Sequence, residues 1–234
     1  MVEYLNIQGI KVPAVLKKNT RYTVRLIFKS GTLYIETHNG KMDEKILGFV
    51  HEKSQWILKN YQKHRNQLKK VELVNQLPEG KVWLLGKVYE YEFRTSNQNF
   101  FRFQNQKIII FTKSEQPGLD TVYDVLRAFS KKYLVQRTLE LAKDTDLKPN
   151  QIRIKIQRSK WGSCSSQKNI NLNWRLIFLE PTHIDYVIIH ELCHLKHLNH
   201  SNLFWDLVET FCPYYRESEK HLKENQWILD IYKD

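Results

Sequence analysis

Within the twelve residues HELCHLKHLNHS, positions 190 to 201, stand four histidines, a glutamate and a cysteine. His190 and His194 are four residues apart, so on a helix their imidazoles lie on one face and can both reach one ion. Glu191 is offset from His190 by about one hundred degrees at ~3.6 residues per turn. In hydrolases with the pattern HExxH, two histidines at this spacing hold Zn²⁺. The glutamate between them takes a proton from the attacking water, whose pKa the ion brings to roughly 7. Three fixed letters recur by chance in many helices; two further histidines following at once make this occurrence more specific.

A catalytic zinc site needs a third protein ligand and one open position. On an unbroken helix His197 would share the face of His190, but with Cα atoms ~10 Å apart at ~1.5 Å rise per residue. Closing both onto one tetrahedral ion, with His194 between them, demands splayed side chains. His200 becomes the better third ligand if the helix stops near Leu198 or Asn199, because the chain can then turn back. Asn199 tolerates the left-handed conformation of such a stop, and Ser201 can cap the next helix. Glu209 or Glu217 from the following helices would be a different solution, although both fit solvated helix faces. Cys193 points about one hundred degrees from His194 and reads as a small buried packing residue.

The elements that must position these groups are legible as patterns. The first third reads mainly as strands, in RYTVRLIF and TLYIETH, with His38-Asn39-Gly40 supplying turn chemistry. From Asp43 to about Lys70 apolar residues recur at helical intervals, and β-structure returns in VWLLGKVYEYEF, FFRF and KIIIF. A composition shift at Lys113 to Leu119 marks the expected boundary between a mostly β module, 1–113, and a second domain, 119–234. That domain opens on an amphipathic helix over 120–146. QIRIKI and INLNWRLIF then alternate like strands around WGSCSSQKN, a turn or loop. Pro181 and Thr182, with Asp185 three residues on, suggest a capping-box start for the helix that carries the histidines. Two more helices follow. The expected class is α+β: a mostly β N-terminal module, then a compact zincin-like helical domain with a small sheet. No internal repeat is evident in the sequence.

Composition bounds the rest. The 234 residues suffice for a substantial core, and 41% hydrophobic with 26% charged residues is the balance of a globular protein. Three cysteines without a CxxC pair argue for a reducing cytosol, and no run reaches the ~18 apolar residues of a membrane span. A cytoplasmic protein without a membrane anchor is expected. The net charge of +12 is uneven: residues 1–113 carry 20 Lys+Arg against 9 Asp+Glu, whereas residues 201–234 carry 4 against 7. Between Gln151 and Leu179, Arg153, Lys155, Arg158, Lys160, Lys168 and Arg175 meet no acidic residue. Such basic surface can attract nucleic acid or acidic protein segments; solubility alone explains it equally well.

From Arg158 onward, the string RSKWGSCSSQKNINLNWRLIFLEPTHIDYVIIHELCHLKHLNHSNLFW resembles the YgjP-like zinc metallopeptidase family, relatives of the SprT and WLM proteases. The match follows a WGSC turn, a strand ending in NWRLIF, a DYV-HEL-H-L helix and an NHS-FW segment, and fainter similarity extends through LPEGKVWLLGKVYEYEF. The resemblance implies that His190, His194 and His200 are the metal ligands and Glu191 the catalytic base. It also implies a gluzincin-like core in which the strand around Asn171 to Phe178 borders the cleft and can pair with an extended peptide. Leu198 stands where relatives often carry proline. SprT and WLM kin act on proteins attached to DNA, with which the positive charge is compatible.

Three functions compete. The first is a Zn²⁺-dependent peptidase acting on a protein or peptide substrate, with Tyr214, Tyr215 and Arg216 as candidate oxyanion donors. The second is a binding module in which zinc only holds the fold and the basic N-terminal module docks on nucleic acid or a partner protein; the glutamate at position 191 argues against it. The third is a cysteine hydrolase built on Cys164, whose surroundings do not match a papain-type signature.

Overall fold

Period-2 alternation and two-residue turns build the first part of the chain. The computed structural model describes residues 2–20, 23–29, 31–77, 79–105, 107–157 and 159–232. Arg21 and Tyr22 of the first expected strand, and Arg158 at the head of the basic stretch, lie outside the described residues. Strands β1 (Glu3–Ile7), β2 (Ile10–Lys18), β3 (Arg25–Lys29) and β4 (Thr32–Thr37) form one sheet in the order β1-β2-β4-β3. Pairing is antiparallel within each hairpin and parallel between β2 and β4. In β4 alternate residues Leu33, Ile35 and Thr37 are buried. Helices α1 (Glu44–Glu52) and α2 (Ser54–Asn75) follow. Asp43 caps α1, its Oδ1 accepting from Ile46 N at 2.9 Å. Ile46, Val50 and Ile57 bury against Val12, Leu33 and Ile35 to make this unit's core.

The same plan recurs. Strands β5 (Lys81–Leu84), β6 (Lys87–Thr95), β7 (Phe100–Gln104) and β8 (Lys107–Thr112) pair in the order β5-β6-β8-β7 with the same directions. Each first hairpin closes on a two-residue turn with both φ positive: Gln8-Gly9 at 51° and 84°, Leu85-Gly86 at 49° and 77°. This repetition escapes the sequence because many residues satisfy strand alternation; only the Xaa-Gly turns and the pairing are shared.

The chain divides into two compact units, Met1–Leu73 and Val74–Asp234. The division differs from the boundary expected at 113–119. The composition shift there is only the turn between β8 and α3 (Leu119–Thr145), and α3 packs on β7 and β8, with Phe101 and Phe129 ring centroids 4.9 Å apart. The second sheet therefore belongs to the unit that carries the histidines.

In that unit β9 (Gln151–Lys155), β10 (Gly162–Cys164) and β11 (Asn169–Asn173) form a three-stranded sheet ordered β10-β11-β9, antiparallel then parallel. Part of the expected WGSC loop is thus strand β10. The NWRLIF end of the expected strand is instead a 3-10 helix, Trp174–Phe178, all five residues buried. Helices α4 (Pro181–Cys193), α5 (Asn202–Phe211) and α6 (Tyr215–Glu224) complete the unit with a last 3-10 turn, Gln226–Asp230. The class is α+β, as expected. No described helix is long and apolar enough to cross a membrane.

The start of α4 is not a capping box. Glu180 is the N-cap and Pro181 occupies the first turn, where its missing N–H costs nothing. Asp185 instead receives Nε and Nη2 of Arg137 on α3 at 2.8 and 2.9 Å, a bidentate pair tying the two helices together. The second-sheet turn docks here too: Leu85 N donates to Ile177 O at 2.7 Å, and Trp83 Nε1 to Phe178 O at 2.7 Å. Arg175 does not contribute to a basic surface. It is 3% exposed and donates to the carbonyls of Ile231 and Tyr232.

The two equivalent turns offer a matched test. A Cβ on Gly86 would lie 2.4 Å from Glu180 Cγ and 3.3 Å from its Cα, whereas one on Gly9 meets nothing within 4 Å. Gly9→Ala carries only left-handed backbone strain, about 1–2 kcal/mol. Gly86→Ala should cost at least about 1 kcal/mol more through overpacking, read by urea denaturation of each variant.

Candidate metal centre

Helix α4 packs among α3, α5, α6, β10 and β11, with Ile184, Ile188 and Leu192 each fully buried. Its opposite stripe is set by the i, i+4 spacing and presents Tyr186, His190 and His194 along one side. The helix ends at Cys193, earlier than expected. The chain leaves through bonds from Leu195 N to Leu192 O and Lys196 N to Cys193 O, the i to i+3 pattern that tightens a last turn. Asn199 is not among the described residues with positive φ, so the stop does not use it. Ser201 is the N-cap residue of α5 but makes no side-chain capping bond.

This early exit brings the histidines together. His200 Nε2 lies 3.2 Å from His190 Nε2, and the ring centroids of His194 and His200 are 4.8 Å apart. His190, His194 and His200 each offer a ligand atom within 4.8 Å of the others, and this group could hold a metal ion. His197 contributes its backbone instead: its carbonyl faces His194 Nδ1 at 2.9 Å. A carbonyl only accepts, so Nδ1 carries the proton and Nε2 keeps its lone pair, the arrangement that orients a histidine ligand. Phe204 of α5, fully buried, stacks on His194 at 4.4 Å and 24°.

Burial, reinforced by His194 and His200, holds His190 down at about 3. It therefore stays neutral, with a lone pair for a cation, throughout the physiological range. Burial drives the Glu191 carboxyl the other way, up to about 8, while Lys160 pulls it back in part. Two buried polar atoms here, His190 Nδ1 and Glu191 Oε2, have no hydrogen-bond partner among the described residues. Three converging imidazoles and a carboxylate oxygen without a hydrogen-bond partner among the described residues are the donor set a divalent metal and a water would satisfy.

Glu191 is held by close approach. A Cβ on Gly162 would sit 2.7 Å from Glu191 Oε1 and 2.8 Å from its Cγ, so β10 can reach this carboxylate only as glycine. The segment before β10 is fixed by Asn173, which is fully buried. Its Nδ2 donates to Gln157 O at 2.8 Å and Lys160 O at 2.9 Å, its Oδ1 accepts from Arg175 N at 3.1 Å, and its backbone N donates to Trp161 O at 2.8 Å. Strand β11, expected to border the cleft as a pairing edge, is paired on both sides; the edge strand beside Glu191 is β10. The groups open onto a cavity of about 490 Å³, lined by Lys160, Trp161 and Gly162, by Tyr186, Val187, His190 and Glu191 of α4, by His200 and Trp205, and by α6.

Residues 22–225 match the YgjP-like metallopeptidase domain. The chain belongs to this family. It is a metal-dependent peptidase, and its substrates are proteins or peptides. Among solved structures it is similar to the metallopeptidase zymogen of Pyrococcus abyssi abylysin, at 24% identity over 40% of this chain and 95% of that chain, with a TM-score of 0.36. No curated protein matches it.

Several sequence candidates of this YgjP-like peptidase stand away from the cluster. Glu209 and Glu217 are exposed and outside the group of possible ligands, and Cys193 is fully buried. Tyr214 is 76% exposed, Tyr215 stacks on Trp205 at 5.2 Å, and Arg216 covers the Tyr215 ring; none of the three lines the cavity. Burial and the nearby Glu191 push the Cys164 thiol up to about 11, the reverse of an activated nucleophile. Sequence reasoning missed Gly162, Asn173, Tyr186 and Trp205. The glycine after Trp161 was the one local signal, since a lone glycine inside a strand marks a close approach.

The Glu191 shift has a thermodynamic consequence in metal-free protein. With its folded value raised above the ordinary 4.5, the native state keeps a proton that the unfolded chain releases. Its stabilising contribution is present below about pH 4.5 and is lost as pH rises through about 8. Thermal melts of chelator-treated Glu191→Gln and parent protein from pH 5 to 9 should show the variant's advantage growing with pH.

Proposed function

We propose that this peptidase is zinc-dependent, with His190, His194 and His200 as ligands and Glu191 as general base. The observation that carries the reading is the convergence of three imidazoles beside a buried carboxylate oxygen that has no partner among the described residues. Zn²⁺, when bound, supplies Lewis acidity that polarises the scissile carbonyl and lowers the pKa of a water to roughly 7. Glu191 accepts a proton from the attacking water and returns it to the amine nitrogen as the C–N bond breaks. Gly162 and Asn173 keep the carboxylate and the edge strand in register. The edge strand β10 gives an extended peptide backbone a strand to pair with. Three free thiols support a reducing, cytoplasmic setting.

Glu191→Gln should retain one zinc per chain by elemental analysis while peptide hydrolysis falls about 10²- to 10⁴-fold. His200→Ala should lose both zinc and hydrolysis. Undiminished turnover by the glutamine variant would sink the assignment of the base.

A second reading adds nucleic acid as a partner of the basic N-terminal unit, and it is supported by the composition of α2. From Ser54 to Val71 that helix has Lys59, Lys63, Arg65, Lys69 and Lys70 without an acidic residue, and Trp56 is 44% exposed. Cations with an exposed aromatic suit a single strand, the ring stacking on a base. Anisotropy titrations with labelled oligonucleotide should show affinity falling as salt rises, and about tenfold weaker binding by Trp56→Ala. Binding unaffected by salt or by this substitution would remove the reading.

A further inference from the structure

The cavity extends past the imidazoles along α4, into space that the proton transfers do not use. Its floor is Tyr186 and Val187, each 3% exposed, one turn before His190; Leu222 of α6, 8% exposed, forms the facing wall. Apart from Glu191 beside the imidazoles, the charged residues that line the cavity are Lys160, Glu219 and Lys223. Lys160 is exposed, and Glu219 is paired with Lys223 at 2.7 Å. A cationic guest would find the Glu219 carboxylate already paired with Lys223; an acidic guest would have to leave water for an apolar floor. An apolar guest loses nothing and gains burial. Burial also raises the Tyr186 hydroxyl above its ordinary value, in keeping with a floor remote from water.

The wall is fixed before any substrate arrives. His183 near the start of α4 and His221 of α6 stack at 3.9 Å and 22°, and His183 Nδ1 lies 3.0 Å from Ser218 Oγ. A pocket whose sides are held by such contacts selects by size. The whole cavity, with the end at the imidazoles included, has a volume of about 490 Å³, within the range of roughly 300–1,000 Å³ typical of ligand pockets.

We infer that this pocket receives a large apolar or aromatic side chain of the residue flanking the scissile bond, and that Leu222 sets the size it accepts. The inference rests on the peptidase reading above. The test is cleavage of a mixed peptide library by the zinc-loaded protein, with mass spectrometry reporting the residues on both flanks of each cut. Phe, Leu, Met and Tyr should be enriched on one flank. Leu222→Trp should slow cleavage of peptides with Phe there about tenfold or more, while those with Ala there change less than twofold. Leu222→Ala should shift acceptance toward Trp, and it carries the test if the tryptophan variant does not fold. A parent that cleaves without preference on either flank, or a Leu222→Trp protein that slows Phe and Ala peptides alike, overturns the inference and leaves the peptidase reading standing. Failure of the zinc-loaded parent to cut any library peptide, together with failure of Glu191→Gln protein to bind them, overturns both.

Discussion

The contact on which this architecture turns is the approach of strand β10 to helix α4, closed at Gly162 against the carboxylate of Glu191. A carboxylate in that position is costly, since burial disfavours its charged form, and one of its oxygens has no hydrogen-bond partner among the described residues. The rest of the second unit holds this arrangement in place. Asn173 ties the segment before β10 to β11 through both amide hydrogens. The 3-10 helix that follows is gripped by α3 through Ser130 Oγ to Trp174 O at 2.9 Å, and by the second sheet through Leu85 and Trp83. Removing any one of these supports would move a strand edge relative to a helix whose own position is set elsewhere.

That helix gains its rigidity from the face turned away from the site. Ile184, Ile188 and Leu192 are fully buried, each contributing about 1.5–3 kcal/mol relative to exposure. The Arg137–Asp185 pair fixes its rotation against α3. His190 and His194 ride on this rigid body, whereas His200 arrives on a loop. The difference is compensated by packing: Phe204, fully buried at the start of α5, contacts the rings of all three histidines. Precision at the site thus comes from two sources, a helix locked by its core and a loop locked by an aromatic side chain.

The repeated four-stranded plan separates what a fold tolerates from what a site requires. Both sheets share strand order, pairing directions and a positive-φ turn, yet only the turn at Leu85-Gly86 meets a neighbour that a Cβ would overlap. In the second sheet that turn supports the residue from which α4 starts. The first sheet carries the same turn without steric constraint.

Local patterns were readable from the sequence alone: the i, i+4 histidines with an intervening glutamate, many of the strands and helices, the α+β class, and His200 as an imidazole that a turn back of the chain brings beside His190 and His194. These depend on short-range spacing, which one sequence states directly. The early end of α4 at Cys193 was not readable, because the bonds that close it are backbone geometry that no residue type announces. Nor was the partner of Asp185, which spacing assigned to a cap and the fold gave to Arg137, 48 residues away. The burial of Arg175, the middle position of β11, the assignment of β5–β8 to the second unit and the cavity between α4 and α6 belong to the same class. Each depends on which distant surfaces meet, and tertiary packing decides that by burying apolar area and satisfying the polar groups caught within it.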